Sequence, residues 1–182
     1  MVKTPNLPFP RSYWIIPGKF LAGYYPGDRR EKVMEQKMRG LLDCGIRFVV
    51  NLMEPDERDH EGLLFVDYAP VLKRLTDGGP SVECHRMPIR DLDVPTPDFM
   101  TNILNQIDDA IAKDLPVYVH CWGGRGRTGT VVGCWLIRHG IAETTTVLEK
   151  IRTLRQYDSR AHFPSPEMPE QVWMVTSWNK GQ

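Results

Sequence analysis

A single α/β domain with a central, mostly parallel sheet flanked by helices is the fold class the sequence predicts. Strand-like runs alternate with helical patterns along most of the chain, which implies layers joined by crossover connections. The 182 residues suffice for one hydrophobic core and fall short of two comfortable ones. Hydrophobic residues at 41% and charged residues at 25% are ordinary for a folded chain, so a core of that size can be built.

The elements follow in order. Residues 1–12 read as an extended lead-in, with prolines at 5, 8 and 10, and residues 13–182 as the domain. Tyr13 to Ile16 and Phe20 to Ala22 flank Pro17-Gly18, a strand–turn–strand signal. Between Asp28 and Cys44, Val33, Met34, Met38, Leu41 and Leu42 recur at helical spacing, and Gly45 is a suitable stop. Ile46 to Met53 reads as a buried strand, and Glu54 to Glu61 as a charged loop. Leu63 to Leu75 fits neither period, whereas Glu83 to Ile89 suggests a short strand. Thr96-Pro97 opens a helix to about Lys113, with an N-cap residue and proline at the first helical position. Pro116 introduces Val117 to His120, a β-branched and aromatic run suited to a central strand. After a glycine-rich loop, Thr130 to His139 is apolar nearly all round, as buried helices are, and Gly140 closes it. Glu143 to Arg155 makes another helix, and Ser165-Pro166 opens a last one ending near Trp178.

Charge and cysteine usage exclude several function classes. Lysine plus arginine and aspartate plus glutamate both number 23, so the formal net charge is +0. That balance argues against the broad basic footprint of a nucleic-acid partner. No run approaches the roughly 18 apolar residues of a membrane span, and the start lacks a signal-peptide core. Cys44, Cys84, Cys121 and Cys134 form no CxxC-like pair, so no metal site is expected, and no secretory context makes them a disulfide framework. The expectation is a soluble, cytoplasmic protein with no cofactor, no metal, no nucleic-acid partner and no membrane span.

The chemistry is carried by residues 119–129, Val-His-Cys-Trp-Gly-Gly-Arg-Gly-Arg-Thr-Gly. Cys121 sits at the carboxyl end of a strand, five residues precede Arg127, and a buried helix begins there. Ligands of open α/β sheets bind at that end of the strands. The loop would curl around an anion with backbone N–H groups inward and the helix dipole adding positive potential. Gly123, Gly124 and Gly126 would permit the close approach and unusual dihedrals this requires. An ordinary thiol is mostly protonated at neutral pH, and a helix N-terminus beside an arginine favours the thiolate. Such a thiolate attacks phosphorus in line while the Arg127 guanidinium holds two phosphate oxygens as a planar fork, which lysine has no geometry to do. Thr128 donates its hydroxyl to the sulfur when water splits the intermediate. Two other readings fail. Gly124-x-Gly126-x-x-Gly129 spells the dinucleotide fingerprint, but it lies late in the chain and the position about 20 residues on falls in a helix; the Walker A pattern is absent. An inert buried cysteine beside a glycine turn leaves the arginine and the loop glycines unexplained.

These residues resemble the signature of the protein tyrosine phosphatase superfamily, His-Cys-x-x-Gly-x-x-Arg-Thr-Gly, and residues 120–129 match it at every fixed position. The resemblance implies the cysteine-phosphatase fold, with Cys121 as nucleophile, Arg127 as phosphate clamp and Thr128 aiding breakdown of the intermediate. It gives His120 a supporting hydrogen bond near the loop and makes Trp122, Gly123, Gly124, Arg125 and Gly126 the rest of the phosphate-binding loop. The segment Pro88-Ile89-Arg90-Asp91-Leu92-Asp93-Val94-Pro95-Thr96 resembles the general-acid loop of the small dual-specificity and kinase-associated phosphatases. On that alignment Asp91 is the acid that protonates the departing oxygen, and Asp93 is its competitor. The Trp-Pro-Asp form of the larger tyrosine-specific enzymes is absent, which favours the compact subfamily.

Four lesser features leave alternatives open. Ser165 to Gln171 looks like a late Pro-Glu to Gln motif of small bacterial-type relatives; Gln171 either approaches the active-site water or caps a helix. Arg125 either reaches a second phosphate or is solvated. Trp122 stands where inositol-lipid phosphatases often place lysine, and Tyr24, Tyr25 and Pro26 form either a pocket rim or a surface turn. Cys84 and Cys134 read as core residues, with no spacing that marks a redox partner for Cys121. The function expected is a cysteine-dependent phosphatase that hydrolyses phosphate monoesters of tyrosine, and of serine or threonine, through a phosphocysteine intermediate. Its partner is a phosphorylated protein or a small phosphoester. An inositol phosphate phosphatase of the same mechanism, a non-catalytic phosphoprotein-binding module and a sulfurtransferase are the alternatives.

Overall fold

Strand β5 (Val117–His120) lies at the centre of the sheet, with parallel neighbours on both sides. The structure, a computed structural model, describes residues 6–182, so the first five residues of the expected lead-in lie outside the described residues. The other strands are β1 (Ser12–Ile16), β2 (Phe20–Gly23), β3 (Phe48–Asn51) and β4 (Glu83–Arg86), in the order β1-β2-β5-β3-β4. Only β1 and β2 pair antiparallel, as the Pro17-Gly18 turn between them requires. The expected α/β class with a mostly parallel sheet is the fold observed.

The helices are α1 (Glu31–Asp43), α2 (Ala69–Leu75), α3 (Pro97–Ala112), α4 (Gly126–Arg138), α5 (Val147–Leu154) and α6 (Pro169–Thr176). Strand alternation sends Phe20, Ala22, Phe48, Val50, Val117 and Val119 to one face, under α3, α4 and α5. It sends Leu21, Val49 and Tyr118 to the other, under α1 and α2. Phe9 joins this second core, so the lead-in contributes packing as well as reach. Helix α4 is buried from Gly126 to Ile137, which explains its all-round apolar pattern. Among the described residues no helix is long and apolar enough to cross a membrane.

Several boundaries move for local reasons. Helix α3 starts where expected, with the Thr96 hydroxyl accepting from the Phe99 N–H at 3.2 Å. Helix α4 begins at Gly126, four residues before Thr130, because the glycine loop runs straight into its first turn. Residues 143–146 form a turn ahead of α5, where the Thr146 N–H donates to the Glu143 carbonyl at 2.9 Å. Helix α6 opens at Pro169, three residues beyond Pro166. The ambiguous stretch at 63–75 resolves into a loop followed by α2.

The sheet register positions the site. Gly23, His120 and Asn51 lie side by side at the carboxyl ends of β2, β5 and β3, and Arg86 pairs with Asn51 at the end of β4. Four chain segments therefore leave the sheet along one edge, beginning at residues 24, 121, 52 and 87.

Candidate active site

Cys121 is the first residue beyond β5, and 3% of it is exposed. Its Sγ accepts from the Gly124 N–H at 3.3 Å and from the Thr128 hydroxyl at 3.1 Å. The loop carbonyls are drawn outward by donors elsewhere. The Trp122 carbonyl accepts from the Tyr25 N–H at 3.0 Å, that of Gly123 from Arg11 Nη2 at 2.7 Å, and that of Arg125 from the Ser165 hydroxyl at 2.8 Å. A peptide plane whose carbonyl faces out turns its N–H in, so these anchors give the loop an anion-binding interior. The N–H groups of the first turn of α4 add to it, since a helix start leaves them without intrahelical partners.

The three loop glycines are not equivalent. Gly124 has φ +72°, and a Cβ there would fall 2.6 Å from the Gly23 carbonyl carbon. At Gly126 a Cβ would meet the Gln171 amide at 3.0 Å. At Gly123 a Cβ would meet nothing within 4 Å and φ is not left-handed, so the expected constraint does not apply there.

Arg127 projects from the start of α4 into the loop, 1% exposed. Glu57 grips it with both oxygens, Oε2 at 2.7 Å from Nη1 and Oε1 at 2.8 Å from Nη2. Nη1 also donates to the Ile89 carbonyl at 3.0 Å and, more weakly, to that of Leu52 at 3.4 Å. Nη2 lies 2.9 Å from Asp91 Oδ1. Burial pulls the guanidinium pKa down, but the Glu57 hydrogen bonds and the charges of Cys121, Glu57 and Asp91 more than offset this, so the net shift is upward. Nε is buried and has no partner. An unmet buried donor costs about 1–3 kcal/mol, and a bound oxyanion would meet it.

His120 is fully buried beneath the loop. Its Nδ1 faces the Cys121 carbonyl at 3.2 Å; a carbonyl only accepts, so Nδ1 carries the proton. Nε2 then accepts from the Tyr68 hydroxyl at 2.5 Å. Burial pushes its pKa down to about 3, so the ring is neutral at physiological pH.

The acid loop follows β4. Leu92 has φ 62° between the two candidate aspartates and aims them differently. Asp91 turns in to Arg127, with its side chain 46% exposed. Asp93 Oδ1 accepts from the Val94 N–H at 2.8 Å, so that carboxylate orders its own turn. The Asp93 carbonyl accepts from Gln171 Nε2 at 3.1 Å. Gln171 is fully buried, and its Oε1 accepts from the Met168 and Glu167 N–H groups at the start of α6. It thus caps a helix and moors the acid loop together.

The remaining residues form the walls. The Trp122 ring packs on His60 at 4.5 Å and on Phe65 at 5.2 Å, and Phe65 on Tyr25 at 4.8 Å between centroids. Tyr24 lies under the Arg11 guanidinium at 4.4 Å, so it belongs to the loop's supports and not to a free turn. Arg125 is not solvated: Glu167, the Pro164 carbonyl and the Phe163 ring surround its guanidinium. Cys134 is buried in α4 as expected, but Cys84 is exposed, because β4 is an edge strand with its outer side uncovered.

Sequence reasoning missed Glu57, Tyr68 and Arg11. Glu57 lies 70 positions from Arg127, Tyr68 52 from His120 and Arg11 112 from Gly123. No spacing along the chain signals such pairs.

Comparison with known proteins agrees with this geometry. Residues 10–164 match the family described as "PTP-SAK: Swiss Army Knife protein, DSP-PTPase phosphatase domain". The phosphatidylglycerophosphate phosphatase PTPMT2 of Arabidopsis thaliana is 31% identical over 116 residues, 63% of this chain and 46% of that protein. The chain spans less than half the length of the first curated relatives it matches. Among solved structures, Tk-PTP in its active form superposes with a TM-score of 0.68 at 22% identity, covering 92% of this chain and 95% of that one. PTPMT1 in complex with PI(5)P gives 0.64 at 24% identity, covering 90% and 92%. Both likenesses show the same fold.

Proposed function

The chain belongs to the DSP-PTPase phosphatase family, and from that premise we propose that it hydrolyses phosphate monoesters through a phospho-Cys121 intermediate. One observation carries the reading: Arg127, whose Nε is buried and unpartnered, interacts electrostatically with Cys121, whose sulfur already accepts two hydrogen bonds. A phosphate seated there takes up Nε and Nη2 as a fork and displaces Asp91 from Nη2 towards the leaving oxygen.

The steps then balance. The Cys121 thiolate forms an S–P bond as the ester P–O bond breaks, and Asp91, which takes up a proton once it has left Arg127, gives that proton to the departing oxygen. A water molecule next attacks phosphorus and passes a proton to the Asp91 carboxylate as the S–P bond breaks. The Thr128 hydroxyl, 3.1 Å from Sγ, stabilises the departing thiolate, and inorganic phosphate leaves. Gln171 serves this cycle through the acid loop's carbonyl. His120, buried and bonded on both nitrogens, holds the loop and moves no proton.

Phosphoprotein is the favoured substrate, with phosphotyrosine and phosphoserine or phosphothreonine as targets. The aromatic wall of Trp122, Phe65 and His60 supports an apolar carrier beside the phosphate. The second reading is an inositol phosphate or other small phosphoester, supported by the likeness to PTPMT1 with bound PI(5)P. Hydrolysis of para-nitrophenyl phosphate tests the common chemistry. Cys121→Ser should abolish turnover, and retention of activity in that variant removes the mechanism. Singly phosphorylated peptides and inositol phosphates, compared by kcat/KM, decide the carrier.

A further inference from the structure

The phosphate loop carries a second guanidinium, that of Arg125, and the fold takes it out of use. Arg125 Nη2 lies 3.1 Å from Glu167 Oε1, with the two side chains 17% and 34% exposed. Arg125 Nε donates to the Pro164 carbonyl at 3.3 Å, and the guanidinium stands 4.8 Å over the Phe163 ring. The segment presenting these groups is itself held by a buried arginine. Arg155, fully buried, donates to the Phe163 carbonyl at 3.0 Å and pairs with the buried Asp158 at 3.1 Å. The same Glu167 reaches the loop from its other side, where a Cβ on Gly126 would meet Oε2 at 3.4 Å. Its carboxylate therefore sits on the first residue of α4, where the helix dipole would otherwise attract an anion.

We infer that Glu167 is a specificity-determining residue that limits the loop to a single phosphate group. The inference rests on the loop binding phosphate as proposed above. A second phosphate beside the first would need a cation, and the nearest one in the loop is already paired. It would also approach a fixed negative charge, and like charges brought together discriminate between ligands more than they alter the affinity of the intended one. The substrate class is then a phosphoester carrying one phosphate, with neighbouring positions on the carrier unphosphorylated.

Orthophosphate and pyrophosphate binding, measured by titration calorimetry on proteins carrying Cys121→Ser, tests this directly. Three backgrounds are compared: Glu167 intact, Glu167→Gln, and Glu167→Gln with Arg125→Gln. Glu167→Gln should tighten pyrophosphate about tenfold and orthophosphate less than about threefold, as expected for freeing one charged partner beside the ligand. Adding Arg125→Gln should erase the gain. Equal tightening of both ions, no tightening, or a gain that survives Arg125→Gln overturns the inference. Failure of orthophosphate to bind in any background removes the phosphate-loop reading and this inference with it. The predicted pyrophosphate pattern in a protein that turns over no aryl phosphate would keep the specificity role and remove the phosphatase.

Discussion

Asp91 Oδ1 stands 2.9 Å from Arg127 Nη2, so the proposed proton donor rests on the proposed phosphate clamp. Nη2 has two protons, and Glu57 Oε1 already takes one. A phosphate that uses Nε and Nη2 together would crowd the Asp91 carboxylate, so on the proposed mechanism substrate binding shifts the acid away from the clamp.

Replacing Asp91 by asparagine separates the two halves of that event. Turnover of an alkyl phosphate should fall by about 10²- to 10⁴-fold, the usual yield of a general acid, and less with a nitrophenyl leaving group that barely needs a proton. Inorganic phosphate should inhibit the variant about threefold or more tightly than the native protein, since Nη2 no longer holds a charged competitor. Weaker inhibition by phosphate would mean the Asp91–Arg127 contact does not guard the site.

Glu57 balances a guanidinium that has almost no access to water. Glu57→Ala should cost about 3–5 kcal/mol in urea denaturation, the usual penalty for leaving one partner of a buried pair alone. Added sulfate should restore part of that loss, because an anion in the loop supplies the missing countercharge. A variant as stable as the native chain, or blind to sulfate, would contradict this role.

Gly124 and Gly123 are adjacent yet should respond in opposite ways to alanine. Gly124→Ala forces a left-handed backbone on a residue with a Cβ and drives that Cβ into Gly23, so thermal unfolding should reveal a loss of about 2 kcal/mol or more. Gly123→Ala meets open space and should stay within about 0.5 kcal/mol of the native protein. Equal losses at both positions would refute the loop conformation described.

His120 makes stability depend on pH. Its pKa is depressed by burial to about 3 from 6.5, so between these values the unfolded chain binds a proton that the folded one refuses. The contribution is complete above about pH 6.5 and declines as pH falls, by up to about 1.4 kcal/mol per unit. Denaturation at pH 7 and pH 5 should differ by about 2 kcal/mol more in the native protein than in His120→Asn. An identical pH response in the two proteins would show that the ring titrates normally.

The sequence disclosed those parts of the site that are contiguous. Residues 120–129 run from the end of β5 through the loop into the first turn of α4, so the cysteine, the glycines, the arginine and the helix start are consecutive. The alternation of elements disclosed the layering, and Thr96-Pro97 a helix start, because both are local preferences. Supports supplied across the fold were hidden. Nothing around Glu54 to Glu61 distinguishes Glu57 from its charged neighbours; only the segment leaving β3 at the sheet edge brings it to Arg127. The surroundings of Arg125, read as either a second phosphate or solvent, were hidden because Phe163, Pro164 and Glu167 approach it only after the chain has turned back through α5. Cys84 read as a core residue because free cysteine is usually buried, and a short strand does not reveal whether it lies at the edge.

The placement of β5 between β2 and β3 governs how the protein is made as well as what it holds. Both of its neighbours come from the first third of the chain, and the loop it feeds is moored by contacts spanning 40 to 112 positions. Such distant closures form slowly and late. The acid loop likewise acquires its Gln171 mooring only once α6, near the end of the chain, has been made and has docked.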